Sequence, residues 1–259
     1  MMRKKSLKPK KSLGQNFLMH PRIAERIALT AELAQGDTVL EIGPGTGMLT
    51  KELLKRAKKV IAVETDDALC AELRDTFANE IAGGRLELVH ADIRKFALTA
   101  LPREYQLVAN IPYYLTGEIF RMFLESQTQP RSMTLLVQKE VAERIVRSKK
   151  ESILSLSVKA YGTPRYEFTV PRGAFLPAPK VDSAVISIRD ISRKNFAARE
   201  EERNFFTLLR AGFAHKRKFL AKNLKDIGFR APGIPEKSRA EDFSIAEWLS
   251  LARTAHTIN

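Results

Sequence analysis

The sequence predicts an α/β protein, a parallel sheet with helices on both faces followed by a smaller helical C-terminal part. Three observations carry that expectation. Short aliphatic and β-branched runs alternate with stretches of helical periodicity through most of the chain, strand signals stop after residue 191, and a glycine-rich turn, EIGPGTG, overlaps the end of the first run. The elements follow in order. Residues 38–42, 60–64, 86–90, 106–109 and 134–138 read as strands. Between and after them, 49–57, 68–77, 118–124 and 139–146 carry apolar residues at helical spacing. Strand, helix, strand in this rhythm gives parallel neighbours, because a parallel pair needs a crossover connection. Two later runs, 166–170 and 181–188, are separated by the loop PRGAFLPAPK and read as an antiparallel addition at the sheet edge. Beyond them 199–214, 216–227 and 240–252 read as helices. The expected division is a basic N-terminal arm over 1–24, a sheet domain over 25–191 and a helical domain over 192–259.

A chain of 259 residues with 44% hydrophobic positions can bury a sizeable core. No stretch approaches the roughly 18 to 20 consecutive apolar residues of a membrane span, and the basic N-terminus has no apolar run after it. Membrane insertion and secretion are therefore not expected, and a cytoplasmic monomer is. The lone cysteine, Cys70, excludes an internal disulfide, and His20, His90, His215 and His256 show no metal-ligand spacing, so no metal is expected.

The net charge of +14 is unevenly distributed. Residues 1–24 hold Arg3, Lys4, Lys5, Lys8, Lys10, Lys11 and Arg22 and no acid, and from Asp190 onward fourteen basic residues face nine acidic ones. A near-neutral body with basic extremities is the footprint of a protein that grips a polyanion. The bland alternative is a pair of solvated faces.

Glycines at 43, 45 and 47 allow the backbone to turn tightly and to approach a ligand, which outlines a nucleotide site. It is not a dinucleotide fingerprint, because Met48 stands where the third glycine would fall, and this argues against an oxidoreductase. Glu64, about 20 residues beyond the glycines, is placed to accept from ribose hydroxyls. Asp92 follows the third strand and is placed to read an adenine amine. Asn110 opens NIPYY at the end of the fourth strand. An exocyclic adenine amine is a poor nucleophile, since its lone pair is delocalised into the ring. The Asn110 side-chain oxygen and the Ile111 carbonyl could hold such an amine toward an electrophilic methyl group, while Pro112 fixes the turn and Tyr113 offers a stacking face. An ordinary turn with core tyrosines is the plain reading of the same residues. Cys70 lies in an apolar helical run and reads as packing. With no cysteine at the end of the fourth strand, methylation through a thiolate adduct is disfavoured.

SLGQNFL (12–18), EIGPGTGMLT (41–50), Glu64, ADI (91–93), NIPYY (110–114) and FLPAPKVDSAV (175–185), in this order, resemble the rRNA adenine N6-methyltransferases over essentially the whole chain. The segment GFAHKRKFLAKNL (212–224) is similar to the basic signature F-x-x-R-R-K-x-L-x-x-x-L of the small-subunit rRNA adenine dimethyltransferases, departing from it at His215, Lys216 and Phe219. The macrolide-resistance methylases of large-subunit rRNA, and a non-catalytic RNA-binding relative, are the alternatives.

The resemblance implies a Rossmann-like class I methyltransferase with a mostly parallel seven-stranded sheet and a small all-α C-terminal domain. It implies S-adenosylmethionine as cofactor, with Asn16 and Leu18 closing over it, Gly43 at its amino-acid portion, Glu64 at its ribose, Asp92 at its adenine, and Asn110 between cofactor and target amine. Tyr113 and Phe175 would sandwich a flipped adenine. The implied partner is 16S rRNA in an assembling small ribosomal subunit, and the implied product is N6,N6-dimethyladenosine at two adjacent adenines of a hairpin loop near its 3′ end. The phosphate contacts expected from the charge pattern are Lys4, Lys5, Lys8, Lys10 and Lys11 in the arm and Lys216, Arg217, Lys218 and Lys222 in the tail.

Overall fold

A computed structural model describes residues 9–10, 13–230 and 233–257. The chain runs β1 (Phe17–Leu18), α1 (Pro21–Thr30), β2 (Thr38–Ile42), α2 (Met48–Leu54), β3 (Lys59–Glu64), α3 (Asp67–Thr76), α4 (Ala78–Ala82), β4 (Leu86–His90), β5 (Gln106–Asn110), α5 (Thr116–Leu124), β6 (Ser132–Gln138) and α6 (Lys139–Val146). It continues through α7 (Ile153–Tyr161), β7 (Thr163–Val170), β8 (Phe175–Leu176), β9 (Ser183–Arg189), α8 (Arg199–Gly212), α9 (Leu220–Lys225), β10 (Phe229–Arg230), α10 (Ile245–Thr254) and β11 (His256–Thr257). It forms two compact units. The first holds the described residues up to Ala142 together with Arg165–Arg189, the second Glu143–Pro164 and the described residues from Asp190.

The first unit is built on a seven-stranded sheet of order β4-β3-β2-β5-β6-β9-β7. Strands β2 to β6 pair in parallel, and β9 is antiparallel to β6, Leu135 facing Ile186. The expected parallel sheet with an antiparallel addition is what forms. β2 and β3 are buried along nearly their whole length, as strands covered on both faces must be. Helix α1, with Pro21 in its first turn, buries Ala24, Ile27 and Ala28 and packs against α2. It begins inside the segment expected to be a basic arm, so residues from 21 onward belong to the sheet unit's core. The strand order reverses between β2 and β5, and at that switch point the carboxyl ends of neighbouring strands diverge and leave a crevice.

The second unit is helical. Tyr161 of α7 stacks on Phe206 at 5.8 Å and meets Phe196 edge-on at 5.7 Å, while Phe205 and Phe206 of α8 cross at 5.0 Å. Trp248 of α10 is fully buried, stacks on Phe213 at 5.9 Å and donates its indole N–H to Ala240 O. Helices α7 and α10 start at serine caps, Ser152 with Ser155 and Ser244 with Glu247, each pair closing a reciprocal box.

Two sequence boundaries are corrected here. The division at 191/192 left 143–164 with the sheet, yet Ser192 N donates to Tyr161 O, Asn195 Nδ2 to Ala160 O and Glu151 N to Glu241 O, so α7 joins the C-terminal helices. The helix expected over 216–227 is only α9, Leu220–Lys225. The buried Asn223 donates Nδ2 to Gly212 O and His215 O, which ties the end of α8 to α9 and leaves Lys216, Arg217 and Lys218 in an exposed turn.

Candidate active site

The loops after β2, β3, β4 and β5 line one cavity with an empty volume of about 1070 Å³, its open mouth included. Its lining includes Asn16, Leu18, Gly43, Glu64, Asp92, Asn110 and Tyr113, which therefore come together as the sequence reading expected. The glycine loop after β2 is shaped by two different needs. Gly47 has φ +78°, and a Cβ there would lie 2.5 Å from the Phe77 ring, so only glycine fits. Gly43 has φ +64° and no atom within 4 Å of an added Cβ, so the backbone there faces open space.

Glu64, at the end of β3, is 4% exposed. Its Oε1 accepts from Thr65 N at 2.8 Å and Asp66 N at 2.9 Å, and its Oε2 from Gly45 N at 3.2 Å. Burial pushes its pKa up and these three backbone donors oppose that. One acid thus buttresses the glycine loop and keeps acceptor capacity at the cavity wall. Asp92 accepts Arg94 N at 3.0 Å, capping the turn it starts, and pairs with the Arg94 guanidinium at 2.5 to 3.0 Å, which holds its carboxyl below the usual range. A third acid, Glu41, is 1% exposed, lines the cavity, and has no hydrogen-bond partner for Oε2 among the described residues. Burial first, and the nearby Glu64, push its pKa up to about 8, so it is mostly protonated at neutral pH.

Asn110 ends β5. Its Nδ2 donates to Asn16 O at 3.2 Å, its Oδ1 remains an acceptor, and the residue lines the cavity. Asn16 is brought there by the segment before α1. β1 pairs antiparallel with β8, Phe17 facing Leu176, and Met19 N donates to Ala174 O at 2.8 Å. Lys10 Nζ and Gln15 Nε2 donate to Asp66 at 2.9 and 3.0 Å, while Asp66 also caps α3 through Ala68 N. The segment is thus fastened at Asp66, Asn110 and β8. Tyr113 is half-buried, its hydroxyl 2.6 Å from Ser183 Oγ. Phe175 departs from expectation. It is 4% exposed and packs in the core with Leu18 and Ala174, so in this conformation it offers no face to a base.

The family model for ribosomal RNA adenine dimethylase matches residues 6–256. The chain belongs to this family. A Ribosomal RNA small subunit methyltransferase A from Dehalococcoides mccartyi is 42% identical, covering 97% of this chain and 90% of its own. A protein of the same name from Moorella thermoacetica is 38% identical, covering 98% and 95%. Among solved structures, the 23S rRNA methyltransferase ErmE superposes with a TM-score of 0.77 at 27% identity, covering 92% of this chain and 99% of that one. A dimethyladenosine transferase from Plasmodium falciparum also reaches 0.77, at 26% identity, covering 91% and 95%. The chain is an rRNA adenine dimethyltransferase, and its fold is that of the class I methyltransferases.

Within this dimethyltransferase the basic residues divide. Lys4, Lys5, Lys8 and Lys11 lie outside the described residues. Lys10, expected on phosphate, is instead paired with the buried Asp66, which raises its pKa, because a carboxylate that enclosed needs donors. Lys218 pairs with Asp226 at 3.1 Å. Lys216, Arg217 and Lys222 are exposed and have no ion pair among the described residues. Sequence reasoning missed Asp66, Gln15, Glu41, Arg94 and Ser183. The doublet Asp66-Asp67 before an apolar helical run was a cap signal for the first, and the acid opening EIGPGTG was in plain view for Glu41.

Proposed function

We propose that the protein transfers methyl groups from S-adenosylmethionine to N6 of two adjacent adenosines in the 3′-terminal hairpin loop of 16S rRNA, giving N6,N6-dimethyladenosine during small-subunit assembly. The observation that carries the reading is the Asn110 amide. With Nδ2 committed to Asn16 O, its Oδ1 can accept a hydrogen bond from an amine and turn that nitrogen's lone pair toward a methyl donor.

The cavity fits such a donor. The open space at Gly43 admits its amino-acid portion, the remaining lone pair of Glu64 Oε2 can accept from a ribose hydroxyl, and Asp92 can accept from adenine once Arg94 releases one of its oxygens. Asn16 and Leu18 close over it from the segment fastened at Asp66. S-adenosylmethionine, when bound, supplies a methyl group on a cationic sulfur. Everything else is positioning: Asn110 and the Ile111 carbonyl hold the amine, Tyr113 stacks the base, and Glu41, protonated, adds no negative charge to the wall. Phe175 would complete the sandwich only after the β1–β8 ribbon shifts. Lys216, Arg217 and Lys222 supply phosphate contacts.

The small-subunit reading is favoured over the large-subunit one by the relatives. ErmE, a 23S rRNA methyltransferase, is 27% identical, whereas proteins named for the small subunit reach 42%. The test is primer extension across the 3′ end of 16S rRNA from cells lacking the protein. The reverse-transcriptase stop should vanish, and should return with the parent sequence but not with Asn110→Ala. A stop that survives the deletion overturns the proposal.

A further inference from the structure

We propose that Tyr114 is a second stacking platform, holding the base next to the one being methylated; this rests on the reading of the cavity as an adenine N6-methylation site. The two tyrosines of NIPYY occupy successive positions of a 3-10 turn, Tyr113–Leu115, where neighbours point about 120° apart. Tyr113 is turned inward, its hydroxyl on the fully buried Ser183. Tyr114 is 59% exposed and lines the mouth of the same cavity.

Its ring nevertheless rests against the chain along one edge. An added Cβ on Gly14 would lie 3.1 Å from Cε1 and 3.2 Å from Cδ1 of Tyr114, and Gly14 has φ +60°, so the ring rests on bare backbone. One side is seated and the rest stands open, which lets a ligand stack without first ordering the side chain. Tyr105 and Tyr113 direct their hydroxyls to Thr128 O and Ser183 Oγ, whereas the Tyr114 hydroxyl has no hydrogen-bond partner among the described residues. A structural hydrogen bond therefore does not account for a tyrosine here.

The occupant that fits is a nucleobase. Arg94, paired with Asp92, lines the same mouth, and a flat aromatic face beside a guanidinium suits a base whose phosphate lies nearby. The substrate creates the need. When one of two adjacent adenines is extruded, its neighbour loses a stacking partner, and a platform at the mouth replaces it.

The test uses small ribosomal subunits from cells that lack the modification. Apparent KM for subunits is measured for the parent, Tyr114→Ala and Tyr114→Phe, alongside S-adenosylmethionine affinity by calorimetry. Tyr114→Ala should raise KM roughly 5- to 150-fold, the loss of one base stack. Tyr114→Phe should keep the parental value, and both variants should bind the cofactor as the parent does. A parental KM in Tyr114→Ala, a loss shared by Tyr114→Phe, or a fall in cofactor affinity that places the ring over the cofactor would each overturn the proposal. A parent that transfers no methyl group to these subunits would instead overturn the underlying reading.

Discussion

Glu64→Gln separates a ligand contact from a scaffold contact. In the parent, Oε1 serves Thr65 N and Asp66 N and Oε2 serves Gly45 N. Glutamine retains one acceptor oxygen, which can keep the two shorter bonds, but its amide nitrogen then meets the Gly45 N–H donor to donor. The carboxylate-assisted bond to Gly45 is removed, and with it the acceptor offered to a ribose hydroxyl. A hydrogen bond to a charged group contributes about 1.5 to 3 kcal/mol, so affinity for the cofactor or its demethylated product should fall about 10- to 150-fold. Folding stability should change less, because a neutral amide avoids the desolvation that pushes the Glu64 pKa up. Glu64→Ala would leave all three N–H groups unpaired and confound the two effects. Calorimetric titration with S-adenosylhomocysteine, paired with urea unfolding, reads both. Parental affinity in Glu64→Gln would refute the assignment.

Asn110→Ala should lower kcat strongly and leave subunit affinity nearly unchanged; it should also loosen cofactor binding by about 1 kcal/mol through loss of the bond to Asn16 O, and near-parental turnover would reduce Asn110 to a turn residue. Neutralising Lys216, Arg217 and Lys222 should flatten the plot of log RNA affinity against log salt by roughly 0.7 to 0.9 for each phosphate that is no longer neutralised, with cofactor binding unaffected; an unchanged slope would make them a solvated face. Glu41 holds its proton up to about pH 8 in the folded chain and only through the ordinary carboxylate range when unfolded, so the stability it contributes is full at low pH and declines as pH rises toward 8. Glu41→Gln should remove that slope, at most about 1.4 kcal/mol per pH unit, and a parent-minus-variant difference that does not vary between pH 5 and 8 would show that the carboxyl ionises normally.

Fold and site were legible to different depths for a physical reason. Residues at the carboxyl ends of parallel strands announce themselves locally: β3, β4 and β5 were readable from aliphatic runs, and the places of Glu64, Asp92 and Asn110 follow from where such runs stop. What escaped depends on contacts between segments far apart in sequence. Helix α7 was missed because its signal is a serine cap on a short run, and its place with the C-terminal helices is set by Tyr161 against Phe206. The helix expected over 216–227 has its periodicity overridden by Asn223 reaching back to Gly212 O. Phe175 was expected on the base only from the family resemblance, and nothing in its neighbours indicates that β1 would pair with β8 beside it.

The segment expected to act through its charge acts, where it is described, through its shape. Lys10 and Gln15 are tied to Asp66 after β3, Gly14 seats Tyr114 after β5, Asn16 O receives Asn110, the Phe17 ring would stand 3.1 Å from a Cβ on Gly45, and β1 pairs with β8. This short stretch of chain therefore touches the loops that carry the expected ribose acceptor, the glycine turn, the amine acceptor and both tyrosines. The contacts are separate, so losing one of them, as in Tyr114→Ala, leaves the segment held at the others.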